Sequence, residues 1–375
     1  MRSTGIWIAA LTCLGAIVAT AQAPAPAPAA QTGPGVQALN DSKYQAYVTA
    51  NCKNPPPPRT PVSRPPAPRP MHREYAVTAI PGVIAAGQTW KTVWTGTGNN
   101  ADGPVATPDG GMMFAQNSDS KVMKLDKNGN VSFPYSDTNT GGALAMNKQG
   151  ALFIVQRGLP QEIWQLAPKR QRLANTFMGE PLDCVSTLLN DLTADSKGGV
   201  YFTKGGVHYA SAQGVVTKYG TIPGNGIILS PDEKTLYVTG RIGAAAGAGA
   251  PPAAPPAPGA APGAARGGGG AAGGLVAYDV QPDGSLTNER QFAMVGGDGS
   301  AVDSQGRVYS TGGGGVQVVD KDGKFLGEIP SPLPLITAAF SGPDKKTLYG
   351  VANNQQFDEI FTIQMIAEGY KGRAK

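Results

Sequence analysis

One pattern recurs six times along the 375-residue chain: an apolar strand, a turn rich in Pro, Asp, Gly, Asn or Lys, and a second strand carrying a large residue. The copies are VATPDGGMMFAQ, LAMNKQGALFIV, LTADSKGGVYFT, IILSPDEKTLYV, AVDSQGRVYST and AAFSGPDKKTLYGV. Their equivalent large residues are Met113, Phe153, Tyr201, Tyr237, Tyr309 and Tyr349, at intervals of 40, 48, 36, 72 and 40. Removing a 32-residue run of almost only Gly, Ala and Pro, Gly243 to Gly274, turns the 72 into 40. Further hairpins lie between the copies (SKVMKLDKNGNVSFPY, GGVHYASAQGVVTKYG, LVAYDVQPDGSLTNERQF and GVQVVDKDGKFLGEIP), with Asn-Gly and Asp-Gly among their turns. Helical periodicity is nearly absent. A strand repeat of about 40 residues predicts an all-β, six-bladed β-propeller, each blade taking strands A and B from the repeated pair and C and D from the second hairpin. A β-sandwich or a two-domain β protein competes, and the sixfold recurrence disfavours both.

Composition adds what lies outside the blades. Gly 52 and Pro 33 make 85 of 375 residues, too many to spread through a packed core. From Ala23 to about Pro70 run two Pro-rich stretches, APAPAPAA and PPPPRTPVSRPPAPRP, which favour polyproline II and form no core. Between them LNDSKYQAYVTANC is long enough for a short element. Two readings stand: the tail is a spacer, or this middle segment docks on the body, tied by Cys52. The Gly243–Gly274 run carries one charge, Arg266, and is expected to be a disordered insertion. Met1–Gly5 and the apolar Ile6–Val18, followed by Ala19-Thr20-Ala21, read as a secretory signal. The expected organisation is 1–21 signal peptide, 22–74 Pro-rich tail and 75–375 propeller, in a periplasmic or secreted protein with no transmembrane segment after cleavage.

Three cysteines exclude a four-thiolate zinc or iron–sulfur site, and two histidines, His72 and His208, exclude a three-His centre. Cys13 falls within the signal, which leaves Cys52 and Cys184 in a compartment where disulfides persist. A bond between them would lay YQAYVTANC over the third blade; the alternative is a buried apolar Cys184 and a surface thiol at Cys52. The formal charge of +5 resides in the signal and the tail. The remaining body holds 24 basic and 24 acidic residues, so no nucleic-acid partner is expected.

The register singles out one position per blade. Eleven residues before Met113, Tyr201 and Tyr309 stand Asp102, Asn190 and Asp298, and twelve before Tyr237 stands Asn225. Eleven before Phe153 stands Gly142 in the second blade, and twelve before Tyr349 stands Thr337 in the sixth. In a propeller these positions ring one mouth of the central channel. Two carboxylates and two amide carbonyls there make an oxygen-rich site for a hard divalent cation, calcium before zinc, magnesium or manganese. Asn-Gly and Asp-Gly are also turn formers, and it is the shared register that raises the four above that background.

LNDLTADSKGGVYFT, GNGIILSPDEKTLYVTG and GGDGSAVDSQGRVYSTGGGGVQVVD resemble the gluconolactonase/regucalcin-like (senescence marker protein-like) six-bladed propellers, over about residues 80 to 364. The resemblance implies metal ligands at Asp102, Asn225 and Asp298, with Asn190 as a substrate or further metal contact. It also implies hydrolysis of a lactone, with Asp298 as base or nucleophile and Asn190 positioning substrate. Departures are Asp102-Gly103-Pro104 where the family usually has Glu-Gly-Pro, Leu188 at the place of a substrate-binding Arg, and Lys204-Gly205 after Phe-Thr. Lys204 is a candidate for the substrate rim, while His208, in a C-strand pattern, is expected to pack or face solvent. The expected partner is a small lactone or ester. Two alternatives are a phosphotriesterase-like hydrolase on the same site and a non-enzymatic secreted binding propeller with a structural ion.

Overall fold

The computed structural model describes residues 42–57, 70–96, 98, 100–242, 273–312, 314–353 and 357–373. The signal segment, the first Pro-rich stretch, most of the second and nearly all of the Gly/Ala/Pro run therefore lie outside the described residues. Six four-stranded antiparallel sheets follow one another as blades I to VI. Their inner strands are Ala101–Ala106, Gly141–Met146, Leu192–Ala194, Ile227–Leu229, Ser300–Val302 and Thr337–Ser341. Blades I to V are each built from four consecutive strands. Blade VI takes three from the C-terminal part and its fourth from Lys91–Gly96, which pairs with Asp358–Gln364. That strand precedes blade I in sequence, so the ring is closed by hydrogen bonds between the two ends of the propeller.

Strand alternation explains why the blades stack. In blade II the second strand sends Leu152 and Ile154 into the cluster shared with blade I, and Phe153 and Val155 into the cluster shared with blade III. The same division repeats around the ring. Met113, Phe153, Tyr201, Tyr237, Tyr309 and Tyr349 are all buried, each between its own blade and the next. Outer strands such as Val131–Tyr135 are mostly exposed, as expected where only one side meets protein. The recurring turn has its own local cause. Asn147, Asp195 and Asp303 each accept, through Oδ1, the backbone N–H groups two and four residues ahead at 2.8–3.0 Å. A short side chain thus satisfies the donors that the tight turn leaves over.

The middle of the tail is docked. Ser42–Asn51 forms a helix, α1, whose Tyr44 and Val48, followed by Cys52, place one apolar residue every four positions on the buried side. They pack against Leu159, Cys184 and Leu188; Cys52 and Cys184 are disulfide-bonded with Cα atoms 5.5 Å apart. Tyr44 Oη donates to the Asp183 carbonyl at 2.9 Å, and Lys53 N donates to Glu180 Oε1 at 2.6 Å. Of the two readings of this segment, docking through Cys52 is the one observed. Farther along, Val77, Ile80, Val83, Ile84 and Trp90 join the core between blades V and VI. No helix among the described residues is long and apolar enough to cross a membrane.

His208 lies on the third strand of blade III, fully buried and stacked on Phe202, with Phe177 edge-on. Of the two expectations for it, packing or facing solvent, packing is the one observed.

Two predictions follow from this packing. The disulfide closes a loop of 132 residues. Replacing both Cys52 and Cys184 by Ser should lower stability by about 2–4 kcal/mol through the freed entropy of the unfolded chain, read as a lower urea midpoint. Burial, then the charges of Lys218 and Lys204, push the His208 imidazole down to about 4. Below its ordinary titration range the unfolded chain takes up a proton that the folded chain refuses, so stability falls as pH drops from about 6.5 to 4. His208→Phe should remove up to about 3 kcal/mol of that loss. An equal decline in variant and wild type across this window would assign the acid sensitivity to other groups.

Candidate functional site at the channel mouth

In each blade the inner strand begins, and the second strand ends, at the same end of the channel. Pairing defines the ring without reference to side-chain type. The cross-strand partners of the six large residues are Val105, Ala145, Thr193, Ile228, Ala301 and Ala339. Three residues upstream of each lie Asp102, Gly142, Asn190, Asn225, Asp298 and Ile336. Asn190, Asn225, Asp298 and Ile336 also share one backbone bond, each N–H donating to a carbonyl on its second strand, those of Thr203, Thr239, Thr311 and Val351. The register is therefore as expected in five blades. In the sixth it falls on Ile336, one residue before Thr337, which is itself buried. An apolar side chain thus holds the last ring position.

The inner strands of blades I and II are bulged at the ring, between Asp102 and Val105 and between Gly141 and Leu144. A bulge re-aims side chains locally. Across this gap reaches Arg157, which directly follows the second strand of blade II and is 5% exposed. Its Nη2 donates to Asp102 Oδ2 at 3.1 Å, to Asn190 Oδ1 at 2.9 Å and to the Asn190 carbonyl at 2.9 Å. Its Nε donates to the Leu189 carbonyl at 3.1 Å. Asn117, with its amide oxygen turned to the guanidinium, accepts from Nη1 at 2.7 Å. Asn190 Nδ2 donates in turn to Asn225 Oδ1. The structure thus joins Asp102, Asn190 and Asn225 through hydrogen bonds centred on a residue the sequence reading did not single out. Asp298 holds the adjoining ring position, its carbonyl closely approached by Gly226.

Gly142 was the available signal. A Cβ built there would fall on Cζ and Nε of Arg157, so the bare ring position of blade II is filled by the guanidinium of the neighbouring strand. A glycine in a ring otherwise rich in Asp and Asn marks space that another side chain takes.

Burial raises the Asp102 carboxyl above its ordinary range; Arg157 and the Gly103 N–H act against this, and the charge of Asp191 adds to it. Asp191 spans two blades, accepting Ile227 N at 3.0 Å. Lys204, expected at the substrate rim, lies beneath it. The residue is fully buried, and Nζ donates to Gln161 Oε1 at 2.9 Å and to the Thr187 carbonyl at 2.7 Å. Its aliphatic stem follows a buried strand end, and the ammonium is held by these oxygens rather than offered to the channel. The strands that flank the Gly/Ala/Pro run, Thr235–Thr239 and Leu275–Val280, pair directly, and Gly240 N donates to the Gly274 carbonyl at 2.8 Å.

The arrangement does not fit a divalent ion as it stands. Asp102 Oδ1 accepts from Gly103 N at 2.7 Å and Oδ2 from Arg157; Asn190 Oδ1 accepts from Arg157, and Asn225 Oδ1 from Asn190. A fixed positive charge already lies among these oxygens. Among the described residues, no group of three or more His, Cys, Asp or Glu is placed to hold a metal.

Residues 270–352 match the model of the SMP-30/Gluconolactonase/LRE-like region, a segment that includes Asp298 but not the other three predicted ligands. No curated protein sequence matches the chain. Among solved structures, the gluconolactonase XC5397 of Xanthomonas campestris superposes with a TM-score of 0.60 at 21% identity, covering 80% of this chain and 99% of that one. A calcium-binding protein, regucalcin, of Agrobacterium tumefaciens gives 0.52 at 18% identity, covering 76% and 97%. A luciferin-regenerating enzyme gives 0.55 at 14%, covering 76% and 98%. The chain is thus a six-bladed β-propeller that shares its fold with these structures and, over residues 270–352, matches the SMP-30/Gluconolactonase/LRE-like region.

Proposed function

We propose that the protein hydrolyses a lactone or a related carboxylic ester at the channel mouth. The observation that carries this reading is the polar ring of Asp102, Asn190, Asn225 and Asp298, gathered at one mouth of a fold shared with a gluconolactonase. Ester hydrolysis needs a base for the attacking water, positive charge near the acyl oxygen, and groups that orient the ring of the substrate. Asp298 is assigned as the base. Asn190 and Asn225 orient substrate, and Arg157 supplies fixed positive charge beside them. A divalent ion of the kind named for the Agrobacterium protein would supply the same polarisation. Here the oxygens that would carry it are engaged with N–H donors, so no step is assigned to an ion. The disulfide supports the proposal that the protein works outside the cytoplasm, where such bonds persist.

Purified protein should open at least one member of a panel of sugar lactones, aliphatic lactones and aryl esters. Asp298→Asn should cut kcat/KM by about 10²- to 10⁴-fold with an unchanged circular dichroism spectrum. Turnover of a phosphotriester alone would redirect the assignment to phosphoester chemistry. No turnover of any of these, with or without added divalent ions, would leave a ligand-binding propeller and remove the hydrolase reading.

A further inference from the structure

We propose that Arg157 is the resident cation of the channel mouth: its guanidinium stands where a divalent ion would sit among Asp102, Asn190, Asn225 and Asp298, and the ring takes up such an ion only once that guanidinium is displaced. This does not rest on hydrolysis, because its readout is ion binding.

Three observations converge on it. The first is volume. Gly142 leaves the ring position of blade II without a side chain, and the Arg157 guanidinium lies where the Cβ would be. The second is the donor count. Asp102, Asn190 and Asn225 each present an oxygen to the ring, and each of those oxygens accepts a hydrogen bond, two of them from Arg157 itself. An ion binding these oxygens would have to share them with N–H donors and sit against a like charge that already occupies the space between them. The third is anchoring. Arg157 Nε is held by the Leu189 carbonyl, and Leu189 N donates to Gln161 Oε1 at 2.7 Å. Gln161 N in turn donates to the Asp183 carboxylate at 3.1 Å, and Lys204 donates to the same Gln161 side chain. This cation is part of the chain itself, so the mouth holds positive charge without taking an ion from solution. It differs from a metal in what it can do: it offers planar, directional N–H groups suited to carbonyl or carboxylate oxygens, and it activates no bound water.

The test uses the full-length exported protein, stripped with a chelator and titrated calorimetrically with calcium chloride, alongside thermal melts with and without the ion. Wild type should show no binding heat and an unchanged melting temperature at about 10 mM calcium, above the roughly 10⁻⁴–10⁻³ M dissociation constants of extracellular calcium modules. Arg157→Gln should gain calcium binding in that range together with a raised melting temperature, and adding Asp298→Asn should abolish both. Gly142→Ala, which pushes the guanidinium aside and keeps every oxygen donor, should gain binding in the same direction and carries the test if Arg157→Gln does not fold. Calcium binding by wild type that is lost in Asp298→Asn would overturn the proposal. So would a folded displaced variant that binds calcium no better than wild type.

Discussion

The structure depends on strands that are apolar on both faces. A second strand such as Leu152–Gln156 gives alternate side chains to two neighbouring blades, so no blade owns a complete core and each is stable only when flanked. Burying a large side chain of this kind contributes about 1.5–3 kcal/mol. Six of them, one per interface, are comparable with the roughly 5–15 kcal/mol of net stability that a folded domain retains. An open array would leave two such faces in water. Pairing Lys91–Gly96 with blade VI closes the ring and removes both.

Closure brings the inner strands together at the mouth, and crowding there dictates residue type. Gly103, Gly226 and Gly299 each follow a ring residue, and a Cβ at any of them would strike the first residues of the next blade's inner strand or of its approach. Gly103 in addition has φ +56°, which a side chain disfavours. In blade III the corresponding residue is Asp191, whose carboxylate instead accepts a backbone N–H of blade IV. The Asp-Gly and Asn-Gly pairs are thus half packing and half chemistry. The glycine lets the blades approach, and that approach brings the polar residue before it onto the channel axis.

The disulfide-bound tail is connected to this centre by hydrogen bonds. Tyr44 of α1 bonds the backbone of Asp183, the Asp183 carboxylate bonds Gln161, Gln161 bonds Leu189, and Leu189 bonds Arg157. Burial raises the Asp183 carboxyl above its ordinary range, and the Gln161 N–H and then the charge of Lys204 act against it. A segment that composition suggests could be a spacer therefore buttresses the crossing between blades II and III, on which the guanidinium rests.

By itself the sequence determined the architecture, because alternation and turn chemistry are local. Met113, Phe153, Tyr201, Tyr237, Tyr309 and Tyr349 repeat at a spacing that strand pairs can satisfy in a ring, and Asn147, Asp195 and Asp303 satisfy their own turns. The ring register was legible for the same reason, since each position is counted along one blade. What only the tertiary structure decided is how side chains from different blades meet. Arg157 reaches Asp102 and Asn190 across two blade boundaries, Lys204 turns under the rim to Gln161, and Cys52 finds Cys184 across 132 residues. In the sixth blade a one-residue difference in pairing put Ile336 where Thr337 was expected. Periodicity along a strand reports which face a residue occupies, whereas the charge balance of the mouth depends on distances between chain segments that pattern alone does not encode.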